Sequence, residues 1–190
     1  LVLSKANSRS TVQRSTDLDY FGVTTLDAAG HVVGDHRFLG LYSSSAYTQS
    51  ILDIPILRNK YEHLIVDLGY AAGSHNAKDL LQFLETYPRD ELFQTHDSML
   101  SGIAGSVLHL QERRQTKLYL RPDDYGRFLS CLVYLPRDRY TTAVRLRIER
   151  LLMQAFGQSS GEILDGFANS HLSANTSTFL FLNFFKVAVN

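Results

Sequence analysis

The sequence predicts an α+β protein built of antiparallel sheets with packed helices. Three observations carry this. β-type apolar runs broken by turn residues open and close the chain, a long middle stretch carries helical spacing, and the last third runs strand–strand–helix–strand–strand. The change of character near residue 117 divides the chain into 1–116, a β-then-helical unit with a helical connector, and 117–190, a second α+β unit.

In chain order, LVLSKANSRSTVQR is a short, polar-mixed strand region. Phe21 and Val23, the turn Asp27–Gly30, and then Val32 and Val33 form a hairpin signal, with Gly34 and Gly40 as bulge or close-approach positions. From Ile51 to Leu68, Ile54, Leu57, Tyr61, Leu64, Ile65 and Leu68 recur at helical spacing, with Pro55 near the start and Gly69 at the end. Asn76 is a candidate cap for a second helix that Pro88 stops. Asp97 or Ser98 caps a third, with Leu100, Ile103, Ala104, Val107 and Leu108 on one face and Arg113 and Arg114 in its last turn.

In the last third, TKLYLRP is a strand, DDYG a turn and RFLSCLVYLP a strong strand. Thr141 or Thr142 caps a helix whose inner face is Val144, Ile148, Leu151, Leu152 and Ala155, with Gly157 just past its end. After the loop QSSG, the segments EILDGFANSHL and STFLFLNFFKVAV read as two strands joined by SANTS.

Composition narrows the function classes. Lys plus Arg equal Asp plus Glu at 19 each, so no global basic field draws nucleic acid or a membrane surface. The balance is uneven: residues 1–116 hold 10 basic and 13 acidic residues, and 117–190 hold 9 and 6, which points to two units in contact. One cysteine excludes an internal disulfide framework and fits a reducing, cytoplasmic setting. No apolar run is long enough for a membrane span, and no signal peptide is recognisable. Leu1 falls within what reads as a strand, without an initiator Met, so the chain reads as part of a longer protein.

Candidate chemistry is sparse. Cys131 shares a strand face with Leu129 and Val133 and reads as a buried thiol rather than a nucleophile. The seven histidines show no metal-ligand spacing and read as surface residues. No Gly-rich phosphate loop and no nucleophile elbow is present, so neither catalytic, cofactor-binding nor metal-binding residues are assigned. Gly102 and Gly105 read as close-packing positions in a helix. Tyr134, Phe181 and Phe184 could serve as an RNA platform, but YGRFLSCLVYLPR lacks the basic-Gly-aromatic pattern of that module, and an aromatic core is the stronger reading. What remains is Arg137, Asp138, Arg139 and Tyr140, after the strand-ending Pro136. These residues are either a capped, solvated strand–helix loop or a contact surface for another domain or an anionic effector.

Several stretches together resemble one family. LVLSKANSRSTVQR, LDYFGV, RFLGLYSSSAY, LLQFLETYPRDELFQ, HLQERR and YGRFLSCLVYLPRDRYTT are similar to the N-terminal region of the large bacterial NAD-specific glutamate dehydrogenases, over about residues 1 to 156. The resemblance implies a PAS-like or mixed unit up to about Thr116 and an ACT-like, ferredoxin-like unit from Lys117 onward. It implies a non-catalytic regulatory or architectural segment of an oxidoreductase that converts L-glutamate and NAD to 2-oxoglutarate, ammonium and NADH. NAD would then be bound elsewhere in the parent enzyme. Its partners would be other domains and subunits of a homo-oligomer, with an amino-acid effector as a further possibility. Two departures stand out. Gln13 and Ser15 replace residues that are His and Pro in the family, and PRDRYTT has no glycine where amino-acid-binding ACT domains carry one. The second favours a packing role for that loop over direct amino-acid binding. The alternative is an ACT/PAS sensor with a real pocket for a small molecule.

Overall fold

A computed structural model describes residues 1–12, 16–110, 115–156, 163–164 and 180–188. Gln13, Ser15, Arg113, Arg114, Gly157 and the QSSG and SANTS segments lie outside them.

The chain opens with a three-stranded antiparallel sheet in the order β1 (Val2–Arg9), β2 (Asp17–Leu26), β3 (Val32–Gly40). The β2–β3 turn forms where the sequence places it. Asp27 accepts hydrogen bonds from the amides of Ala29 (2.8 Å) and His31 (2.9 Å), and Gly30 takes φ +85°. Thr25 lies opposite Gly34 but Leu26 opposite Val32, so Val33 is the extra residue of a bulge beside Gly34.

Five helices follow. They are α1 (Ser44–Thr48), α2 (Pro55–Asp67), α3 (His75–Thr86), α4 (Arg89–Gln94) and α5 (Asp97–Leu110). Pro55 opens α2, where its missing N–H costs nothing, and Gly69 follows its end at φ +68°. The cap of α3 is Ser74 rather than Asn76: the helix begins at His75, and the Ser74 hydroxyl accepts from the Ala77 amide at 3.2 Å. Asp97 is likewise inside the first turn of α5, not before it. Neither α1 nor α4 is foreseen from the sequence, because one to two turns show no periodicity. Leu57, Leu64, Leu80, Leu84, Leu92 and Leu100 make a fully buried core between these helices. An added Cβ on Gly105 would come within 3.3 Å of the Leu68 side chain, so this glycine does mark close packing; Gly102 has open space.

The last third is a four-stranded antiparallel sheet in the order β4 (Lys117–Pro122), β5 (Phe128–Pro136), β7 (Leu180–Ala188), β6 (Ile163–Leu164), with α6 (Thr142–Ala155) crossing over from β5. β5 and β6 flank β7, so β5–α6–β6–β7 is the split βαβ arrangement of a ferredoxin-like unit; β4 fills the outer place beside β5 through a hairpin. Thr141 is the α6 cap, its hydroxyl accepting from the Val144 amide at 3.2 Å.

β5 is buried on both faces, which is why it reads as one continuous apolar run. Cys131, Val133 and Leu135 pack against Val144, Ile148 and Leu152 of α6. Leu132 and Tyr134 point the other way, into the helical core beside Phe83. Tyr134 is thus core, not an RNA platform. The expected inner face of α6 needs correction: Leu151 is 56% exposed and Ala155 is also exposed. Contact with the sheet centres on Leu152, and Leu151 stands about 100° round the helix from it.

A candidate functional site at the junction of the two sheets

The sequence-derived candidates do not gather into one site. Arg137–Arg139 form a single 3-10 turn in which Asp138 and Arg139 are exposed. Tyr140 is half-buried and packs on the Cys131–Leu152 cluster, so it anchors the start of α6 to the sheet. Cys131 is fully buried, and burial, with a smaller contribution from Glu91, pushes its thiol up to about 11. That is the opposite of what a thiolate nucleophile needs. The six described histidines are all exposed; His31, His63, His75 and His96 each lie beside an aspartate, and His109 Nδ1 lies 2.6 Å from the Gly105 carbonyl. Among the described residues no three His, Cys, Asp or Glu side chains meet as a metal-binding group. No helix among them is long and apolar enough to cross a membrane. The strand-to-helix turn Pro136–Thr142 contains no glycine, and Gly105 is backed by Leu68, so neither fits the pyrophosphate of NAD.

The polar chemistry instead converges on α4, within the motif TYPRDELFQ. Glu91 is 0% exposed and accepts from Arg121 Nε of β4 at 2.7 Å; Arg121 Nη2 also reaches Ser130 Oγ of β5 at 3.3 Å. Its neighbour Asp90 turns toward the first sheet, accepting from the Tyr47 hydroxyl at 2.7 Å and lying 3.4 Å from Lys5 Nζ. Lys5 also pairs with buried Asp19 at 2.5 Å. Burial raises the Asp19 pKa, and the Lys5 ammonium only partly offsets this. Phe93 stacks on Tyr42 with ring centroids 4.4 Å apart. One short helix thus touches both sheets.

A second clamp joins the sheets directly. Arg127 holds Asp123 through two hydrogen bonds, 2.7 Å from Nε and 2.9 Å from Nη2. The same guanidinium donates to Ser4 Oγ (2.9 Å), Asn7 Oδ1 (3.0 Å) and the Lys5 carbonyl of β1. Burial alone would raise the Asp123 carboxyl; Arg127 and the Arg127 and Tyr125 amides outweigh it and hold it below the usual carboxylate range.

Beside α4 lies a pocket of about 700 Å³ lined by Leu3, Ile56, Lys60, His63, Gln94 and Asp97, among others. Gln94 is 7% exposed, and both atoms of its amide lack a partner in the described structure. Lys60 donates to the Thr95 carbonyl and lies 3.3 Å from Asp97; burial lowers its pKa despite that carboxylate. His63 Nδ1 is 2.9 Å from the other Asp97 oxygen.

Sequence reasoning passed over all these junction residues. The available signal was charge embedded in apolar runs: Asp19 between Leu18 and Tyr20, Glu91 before Leu92 and Phe93, Arg121 after Leu120.

Comparison with known proteins follows the same segments. Residues 54–113 match the family model for glutamate dehydrogenase helical motif 1, and residues 117–181 match that for the glutamate dehydrogenase ACT2 domain. The chain is 37% identical over 170 residues to the NAD-specific glutamate dehydrogenase of Halomonas elongata, covering 90% of this chain and 10% of that protein. For the Pseudomonas aeruginosa enzyme of the same name the identity is 40% over 173 residues, 91% of this chain and 11% of that protein. For the Mycobacterium tuberculosis enzyme it is 41% over 128 residues, 67% of this chain and 8% of that protein. The chain therefore spans about a tenth of the length of these curated relatives. No solved structure matches it.

Proposed function

Since this chain belongs to the family of NAD-specific glutamate dehydrogenases, we propose that it is a non-catalytic regulatory and architectural segment of such an enzyme. The observation that carries this reading is the convergence on α4. A displacement of either sheet must move Glu91 or Asp90, so a signal arriving at one sheet is felt at the other. In this reading the β1–β3 sheet with its helices is the PAS-like unit, and the β4–β7 sheet with α6 is the ACT unit. The parent, cytoplasmic and homo-oligomeric, oxidises L-glutamate to 2-oxoglutarate and ammonium with NAD bound outside this segment. The reading is tested by mixing purified chain with L-glutamate and NAD: no NADH should form, and turnover that scales with chain concentration would contradict it.

A second reading has an observation of its own, the pocket with the unpartnered Gln94 amide. It makes the segment a sensor for a small molecule such as an amino acid. A ligand that binds only the folded state raises the unfolding temperature. A thermal-shift screen of amino acids and nucleotides separates the sensor from a pure scaffold, and loss of a shift in Gln94→Leu would place the ligand in this pocket.

A further inference from the structure

Among the described residues β3 is an edge strand of the first sheet, and almost its whole length faces solvent. Three of its large apolar side chains stand in water, Val33 at 63%, Phe38 at 58% and Leu39 at 60% exposure. An uncovered edge strand offers a row of free N–H and C=O groups, and soluble proteins usually blunt such an edge with charged side chains (Lys above all), Pro, a bulge or a covering element. β3 contains neither Lys nor Pro, and its bulge sits at the turn end, leaving Gly34–Phe38 in regular pairing with Thr25–Phe21.

We propose that this edge is a self-association surface, on which β3 of a second copy of this chain pairs antiparallel across a two-fold axis at His36. The argument is charge and shape complementarity within GDHRF. Free backbone groups on a strand edge recur at every second residue, so residues facing each other across an antiparallel two-fold share parity, and the axis falls on a residue. With the axis at His36, Asp35 faces the partner's Arg37 and Arg37 faces the partner's Asp35. Phe38 then lies across the partner's Gly34, where no side chain competes for space, and Leu39 lies across the partner's Val33. Moving the axis to Asp35 sets carboxylate against carboxylate, and moving it to Arg37 sets guanidinium against guanidinium. Opposite-charge pairs directly across strands stabilise a sheet and like charges destabilise it. Asp35 and Arg37 already share one face, with Arg37 Nε 2.6 Å from Asp35 Oδ2, so pairing extends an existing ion pair into a four-charge array. The product is a continuous six-stranded sheet, β1–β2–β3 and its symmetry copy. The inference rests on this edge alone and stands whether or not the segment is regulatory.

Light scattering on the purified chain gives the first test: the expected mass is twice 21.5 kDa at high concentration. Arg37→Asp faces two pairs of carboxylates and should halve the mass, with unchanged circular dichroism showing that the chain still folds. The exchanged pair Asp35→Arg with Arg37→Asp restores complementarity and should restore the dimer. In a Cys131→Ser background, His36→Cys should form an intermolecular disulfide on mild oxidation, because facing Cα atoms in an antiparallel pair stand about 4.5–5.5 Å apart, within disulfide reach. A wild-type monomer, a dimer indifferent to Arg37→Asp, or no covalent dimer from His36→Cys would each overturn the proposal.

Discussion

Arg121 and Glu91 form an ion pair at 2.7 Å with side chains 5% and 0% exposed, between the second sheet and α4, the short helix that also reaches the first sheet. Removing one partner of such a pair leaves an uncompensated buried charge. Arg121→Met should therefore destabilise the chain by about 3–5 kcal/mol in urea unfolding. Adding Glu91→Leu should recover most of the loss, because the second charge then needs no partner.

Arg127 makes acid sensitivity a property of the sheet junction. The Asp123 carboxyl is held below its ordinary value of 3.8 in the folded chain, so the unfolded chain binds its proton more readily. Its contribution to stability is full above the unfolded value and is lost as pH falls through the lower folded value. Unfolding midpoints should fall on acidification below about pH 4, and Asp123→Asn should flatten that part of the profile.

Burial at Cys131 sets its reactivity. With the thiol pushed up to about 11, the thiolate is on the order of one part in 10⁴ at neutral pH. Iodoacetamide should label the folded chain far more slowly than the chain in urea. Equal rates would place the thiol at the surface and undo the two-faced burial of β5.

Thr141 caps α6, its hydroxyl accepting from the Val144 amide at 3.2 Å. Thr141→Ala should cost about 1 kcal/mol, and Thr141→Ser should restore nearly all of it. Chemical denaturation of the three variants side by side checks both.

What was legible in the sequence was whatever a single segment encodes by itself. The β2–β3 hairpin follows from Asp27 and Gly30, α2 from its apolar spacing and Pro55, and α6 from Thr141. Cys131 could be placed in the core because its strand neighbours share its face. Long-range pairing was not legible. Nothing local to Glu91 says that its partner is Arg121, thirty residues on, and nothing near Asp123 says that its partner also grips β1. The Leu151 error has the same origin, since helical spacing defines an apolar stripe but not which part of it meets a sheet. The loop Arg137–Tyr140 stands out in the sequence as an unusual string of residues, whereas charges hidden in apolar runs such as Glu91 and Arg121 do not.

Coupling of the two sheets through α4 is tested most directly by amide hydrogen exchange on Arg121→Met compared with wild type. Protection should fall together in β4–β5, in α4 and in β1–β2, although the hydrogen bonds of Arg121 run to Glu91 of α4, Ser130 of β5 and the Pro122 carbonyl. A loss confined to β4–β5, with β1–β2 as protected as before, would contradict the account.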